Sequence, residues 1–151
     1  MYEKFGQFIN GKWQKSSDGA TYDVINPATE ELIGKASKAN KKDIDLCLKS
    51  AEEGFNIWKN TSPWERSKII RKISELIRKK KDVLAKWLTL EVGKPLKESN
   101  GEVLGAADIF EWSSEEAKRI YGETLQGRYP DTRIHIYYQP VGVVAALVPW
   151  N

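Results

Sequence analysis

Val143-Val144-Ala145-Ala146-Leu147-Val148 contains no polar residue, and this run constrains the architecture more than any other feature. A strand with one wet face alternates apolar and polar side chains. An unbroken apolar run suits a strand buried on both faces, as in a parallel sheet covered by helices. Pro149 stops it, because proline cannot donate to a ladder. Trp150 and Asn151 then fall just past the strand's carboxyl end, where open α/β sheets bind ligands. The expected fold class is α/β. One parallel strand cannot make a doubly wound sheet, so the chain is expected to be a fragment or truncated product of a larger protein and inactive alone.

The preceding residues divide into strands and then helices. Phe8-Ile9-Asn10-Gly11-Lys12-Trp13 carries an Asn-Gly hairpin signal. Thr21 to Ile25 and Leu32 to Ala36 read as short strands around the turn cluster Asn26-Pro27-Ala28-Thr29. A first helix is expected over 40–60, with Asn40 as N-cap and Asp43 three residues on. Its apolar face is Ile44, Cys47, Leu48, Ala51, Phe55 and Trp58, which predicts Cys47 to be a buried, inert thiol. Ser62-Pro63-Trp64-Glu65 starts a second helix with a capping box and a proline at its first position. Ile69, Ile70, Ile73, Leu76 and Ile77 form its buried stripe, leaving Arg71, Lys72 and Arg78 to Lys81 as a solvated face. Val83 to Val92 continues or restarts that helix until Gly93 and Pro95 end it. A third helix is expected from about Leu96 to Tyr121, stopped by Gly122, with Glu115 and Arg119 as an i,i+4 pair. Thr132 to Gln139 alternates as a half-exposed strand, with His135 on its surface.

Composition narrows the function classes. With 24 basic and 21 acidic residues, net charge +3, the balance is too even for a nucleic-acid partner. One cysteine rules out an internal disulfide framework. No signal peptide opens the chain and no apolar run reaches membrane-spanning length, so a cytoplasmic location without membrane contact is expected. Most of the six tryptophans fall in patterns that core packing would explain. His135 has no partners at ligand or triad spacing, so no metal site is expected. Without further context, Asn151 offers two N–H donors that could stabilise a developing oxyanion, worth about 2.7–4 kcal/mol for one good donor. A non-catalytic helix-and-strand interaction module, or an unrelated nucleotide-binding α/β protein cut short, stays open on these grounds.

Several motifs carry a resemblance. Gln139-Pro140-Val141-Gly142-Val143-Val144 followed by Val148-Pro149-Trp150-Asn151 resembles the segment of NAD(P)-dependent aldehyde dehydrogenases that leads into their Pro-Trp-Asn motif. Phe8 to Trp13, Ile25 to Glu31 and Glu91-Val92-Gly93-Lys94-Pro95 are similar to that family's N-terminal region, with Val92 where threonine is usual. Phe110-Glu111-Trp112 and Glu115 to Glu123 resemble the corresponding helix of succinate-semialdehyde dehydrogenases and related ω-semialdehyde enzymes. All 151 residues are collinear with the family's first third.

The resemblance implies a division into three parts. Residues 1–122 would be the N-terminal part of the Rossmann-like NAD(P)-binding domain. Residues 123–140 would be a strand excursion towards the oligomerisation region, and 141–151 the first parallel strand of the core. It implies oxidation of a small aldehyde, a semialdehyde such as succinate semialdehyde, to a carboxylic acid with NAD or NADP. In that chemistry a cysteine thiolate forms a thiohemiacetal and then a thioester, and a glutamate activates water. The match makes Asn151 the catalytic oxyanion donor, and Leu147, Val148, Pro149 and Trp150 cofactor-binding. The family's catalytic cysteine and glutamate lie beyond residue 151, and Cys47 lacks their surrounding motif. Some members hold a cation near the positions of Glu91 and Ile25; here Glu91 reads as a helix-end carboxylate. A homo-oligomer, dimer or tetramer, is the expected state of the whole protein.

Overall fold

The computed structural model describes residues 5–148. Strands β1 (Gln7–Ile9) and β2 (Lys12–Gln14) form an antiparallel hairpin. Asn10 and Gly11 both take positive φ, 51° and 72°, as a two-residue turn matched to strand twist requires. Phe8 faces Trp13 across it, ring centroids 5.0 Å apart. Strands β3 (Thr21–Ile25) and β4 (Leu32–Ser37) make a second hairpin. Its turn is held by Asn26, whose Oδ1 accepts from the Ala28 N–H at 2.9 Å.

Four helices follow: α1 (Lys41–Trp58), α2 (Pro63–Lys79), α3 (Lys81–Val92) and α4 (Leu96–Glu116). Asn40 caps α1 in a complete capping box with Asp43. Ser62 caps α2 by accepting from the Glu65 N–H at 3.2 Å. The second half of that expected box gives way to a pair between the Glu65 carboxylate and Lys68 at 2.7 Å. Helix α3 restarts after Lys80 and ends at Gly93, φ 76°, in the left-handed conformation that suits glycine. A third hairpin joins β5 (Glu123–Gln126) to β6 (Arg133–Ile136).

The third expected helix stops five residues early. After Glu116 the chain tightens through i→i+3 bonds, Lys118 N–H to Glu115 O at 3.2 Å and Arg119 N–H to Glu116 O at 2.8 Å. Gly122 does not cap this helix. It lies where a Cβ would sit 2.4 Å from Ile136 O, so the glycine serves the close approach to β6.

The packed centre is the seam of α2, α3 and α4. Its fully or nearly buried residues are small: Ser67, Ser74, Ala85, Ser99, Val103, Ala107 and Ser114. Small side chains let the helix backbones approach, and the buried hydroxyls are satisfied locally. Ser74 donates to Ala107 O at 2.8 Å, and Ser99 shares a hydrogen bond with Thr89 at 2.8 Å. The basic face expected on α2 is only partly solvated. Arg71 pairs with Glu111 at 3.1 Å and with Glu115, while Arg78 reaches Asp108 at 2.6 Å and Glu111 at 2.8 Å. The Glu115–Arg119 pair is looser, at 4.0 Å.

This centre leaves much apolar surface uncovered. The accessible surface is 11849 Å², against about 7,800 Å² for a compact monomer of this mass. Helix α1 shows the reason: apart from Asp43 it buries almost nothing, and Ile44, Leu48 and Trp58 are exposed. Cys47 is exposed with them, which corrects the buried thiol expected from the helical periodicity. Periodicity identifies a face that wants cover, and the chain supplies little of it here. Trp13, Trp58, Trp64 and Trp112 are exposed for the same reason, against the expected core roles. No helix among the described residues is long and apolar enough to cross a membrane.

Candidate functional site

The segment of interest leaves β6 and runs from Tyr137 to Val148 without helix or strand. The doubly buried strand expected over Val143 to Val148 does not form. Val144, Leu147 and Val148 are 71%, 97% and 78% exposed. A central parallel strand takes its hydrogen bonds from flanking strands and its cover from helices, and these residues have neither. Of the residues expected to contact a cofactor, Leu147 and Val148 form the tip of this exposed apolar strip. Pro149, Trp150 and the expected oxyanion donor Asn151 lie outside the described residues.

Two clefts flank the start of the segment. Val143 and Val144 line a shallow cleft together with Ala51, Gly54, Phe55 and Trp58 of α1. Just before them, residues 138–142 form one wall of a cleft of about 510 Å³. The opposite wall comes from the end of α1 (Phe55, Trp58, Lys59), the first turn of α2 (Pro63, Arg66) and Lys118. Three cations therefore line one cleft. Lys59 lies over the Phe55 ring, 5.1 Å from its centroid, and donates to Asn56 Oδ1 at 2.8 Å. Lys118 lies over Trp64 at 5.4 Å and pairs with Glu115 at 3.2 Å. That bond from Lys118, with help from Arg71, holds the Glu115 carboxyl below its ordinary range despite partial burial. Arg66 donates to Thr61 O at 3.0 Å.

The orientation of α1 depends on a side chain that the sequence reading took only as a helix-capping partner. Asp43 is 2% exposed. Its carboxylate accepts from Ser16 Oγ at 2.8 Å, Ser17 N–H at 3.0 Å, Asn40 N–H at 3.1 Å and Gln7 Nε2 at 3.3 Å. Burial opposes its ionisation, but the bonds from Asn40, Ser16 and Ser17 outweigh it and hold the carboxyl well below the usual range. A second bond, Asn10 N–H to Ser50 Oγ at 3.1 Å, fastens the β1–β2 turn further along α1. The only signal for Asp43's wider role was its place three residues after Asn40; nothing local announces Gln7 or Ser16 as partners.

The other singled-out side chains stay apart from the cleft. Cys47 lies exposed on α1. His135 lies exposed on β6 with its Nδ1 3.1 Å from Thr124 Oγ1. Glu91 lies in the last turn of α3. Among the described residues, no three His, Cys, Asp or Glu side chains converge to hold a metal ion.

Comparison with known proteins places these features. Residues 13–151 match the model of the aldehyde dehydrogenase family. The chain is 42% identical over 144 residues to a glutarate-semialdehyde dehydrogenase of Pseudomonas putida, covering 95% of this chain and 30% of that protein. It is 39% identical over 143 residues to the NADP(+) succinate-semialdehyde dehydrogenase of Escherichia coli, again covering 95% of this chain and 30% of that one. Among solved structures, a betaine aldehyde dehydrogenase of Staphylococcus aureus in complex with NAD+ superposes with a TM-score of 0.78 at 30% identity. That alignment covers 85% of this chain and 26% of the other. The chain thus spans about 30% of the length of the curated relatives it matches.

Proposed function

The chain belongs to the aldehyde dehydrogenase family, and from that premise we propose that it is the opening part of an enzyme oxidising a semialdehyde to its carboxylic acid with NAD+ or NADP+. Succinate semialdehyde and glutarate semialdehyde are the substrates for which relatives of this chain are named. The observation that carries this reading is the 42% identity to a semialdehyde enzyme over nearly the whole chain.

In this reading residues 143–148 gain their strand when the rest of the protein supplies neighbouring strands. Leu147 and Val148, together with Pro149 and Trp150, then wall the cofactor. The exposed apolar strip at Leu147 and Val148 fits a flat ring lying against it, because covering such side chains removes apolar area from water. When bound, the dinucleotide supplies the hydride acceptor. As the enzyme's thiolate adds to the aldehyde carbon, negative charge collects on the former carbonyl oxygen. The Asn151 carboxamide donates an N–H to that oxygen. Being unable to ionise, it does so at any working pH. The nucleophilic cysteine and the water-activating glutamate belong to residues outside these 151, and Cys47 is given no role.

The test uses the complete open reading frame from which the 151 residues come. NAD(P)H formation is followed with succinate semialdehyde, glutarate semialdehyde and an uncharged aldehyde of similar length. Preferential turnover of the two carboxylated aldehydes is expected. Absence of NAD(P)H formation with every aldehyde, in a protein shown to be folded, would overturn the reading.

A further inference from the structure

We propose that Asn10 is a site of spontaneous deamidation whose isoaspartate product unfastens the β1–β2 hairpin from α1, while the other Asn-Gly pair, Asn100-Gly101, is protected by its place in α4. The chain contains Asn-Gly at 10–11 and at 100–101. At both, glycine leaves the following amide nitrogen unshielded by a side chain. The reaction is the same for either pair. The glycine nitrogen loses its proton and bonds to the asparagine Cγ. The Cγ–Nδ2 bond breaks, ammonia leaves with the proton, and a succinimide ring remains. Water then opens the ring. Cleavage at Cγ gives aspartate, and cleavage at the main-chain carbonyl gives isoaspartate, whose backbone runs through Cβ and Cγ.

The fold separates the two pairs. Asn10 and Gly11 are exposed in the hairpin turn. Among the described residues, neither the Asn10 carboxamide nor the Gly11 N–H has a hydrogen-bond partner. A Cβ built on Gly11 would meet nothing within 4 Å, so the turn is open. The hairpin has three residue pairs, and a lone two-stranded hairpin is marginal in water. Bringing the nitrogen to Cγ therefore needs only a local opening. Asn100 is held in the opposite way. Gly101 lies within α4, where each N–H bonds to the carbonyl four residues back. The Asn100 Nδ2 donates to Leu96 O at 2.8 Å, and its Oδ1 is buried without a donor. Attack gathers negative charge on that oxygen. Water relieves it at Asn10, and nothing does at Asn100. Reaction there also requires unwinding α4 beside the buried Ser99 and Val103.

The isoaspartate product changes the turn that forms it. An added main-chain carbon does not match a two-residue turn set by φ 51° and 72°. The pairing of Phe8 with Trp13 and Ile9 with Lys12 loses its register. The Asn10 N–H, which fastens the turn to Ser50 Oγ at 3.1 Å, is displaced with it.

The experiment ages the complete protein, with S50A and S50T, at mildly alkaline pH, folded and in urea. The tryptic peptides 5–12 and 98–118 are read by mass spectrometry for the gain that marks amide replaced by acid, and electron-transfer fragmentation separates isoaspartate from aspartate. In urea the two peptides should deamidate alike. In the folded protein Asn10 should react about tenfold faster than Asn100 or more, the difference between a local opening and unwinding of a packed helix, with isoaspartate the main product. S50A frees the turn and should speed the Asn10 reaction severalfold without changing Asn100, while S50T keeps a hydroxyl and should restore the slower rate. The aged protein should show faster hydrogen exchange over 7–14, with α2 and α4 unchanged. Equal rates at Asn10 and Asn100 in the folded protein would overturn the proposal, as would isoaspartate at Asn10 with unchanged exchange over 7–14. An Asn10 rate indifferent to S50A would refute the fastening by Ser50.

Discussion

Gly93→Ala tests whether the helical centre is tied to the β3–β4 hairpin as the structure has it. Gly93 ends α3 at φ 76° and ψ 10°, with its N–H on Thr89 O at 2.9 Å. A Cβ there would lie 2.9 Å from Pro27 Cγ, in the turn between β3 and β4. Three effects add. The left-handed conformation costs a residue with a Cβ about 1–2 kcal/mol. The methyl overlaps a rigid ring well inside normal carbon contact, and mild overpacking of this kind costs about 1 kcal/mol at the low end of its range. Alanine also loses less freedom on folding, which offsets about 0.4–1 kcal/mol. The net is a destabilisation of about 2 kcal/mol. With a urea slope of about 1–3 kcal/mol per molar, the midpoint falls by about 1 M. Gly101→Ala is the control: Gly101 is inside α4, with ordinary φ and open space at its Cβ. It should gain about 1 kcal/mol from helix propensity. Urea titrations followed by far-UV circular dichroism compare the two. A G93A midpoint at or above wild type would refute the reasoning, and so would equal losses in G93A and G101A.

Other outcomes follow from the same structure. Asp43 has a folded-state pKa below the ordinary carboxylate value, so its contribution to stability is fully present above about pH 4 and is lost as pH falls through the folded value. Asp18 behaves alike: the Ala20 N–H, with Asn40 and Ser16, lowers its pKa to about 2. Urea midpoints of wild type and D43N should therefore differ most near neutral pH and converge as pH drops towards 2; a constant gap would exclude the ionised Asp43 clasp. Asn151→Ala in the complete enzyme should lower kcat about 10²–10³-fold with little change in aldehyde KM, the size of one lost oxyanion donor, as read by steady-state kinetics; unchanged turnover would remove Asn151 from the mechanism. In the 151-residue chain by itself, a disulfide-exchange reagent should titrate one exposed thiol at Cys47 without denaturant, and a protected thiol would contradict the uncovered face of α1.

Local chemistry made much of this chain legible before any coordinates. Asn10-Gly11 specifies a two-residue hairpin turn because few other residues accept positive φ twice in succession. Asn40, Ser62-Pro63 and Gly93 mark helix ends because the unsatisfied N–H and C=O groups there need partners within a few residues. The Pro-Val-Gly and Pro-Trp-Asn pieces carried the family resemblance, which the match over residues 13–151 supports. Tertiary structure decided the rest. Arg71 looked like part of a wet basic face, yet its partners Glu111 and Glu115 lie 40 and 44 residues away. Asp43 looked like a helix cap, yet it also binds Gln7 and Ser16, 36 and 27 residues away. Val143 to Val148 has the composition of a buried strand and stands exposed here, as does Cys47 on an apolar helix face. Caps and turns are settled by groups that are neighbours in the chain. Pairing across helices, strand formation and burial are settled by what the fold brings alongside, which no local pattern contains.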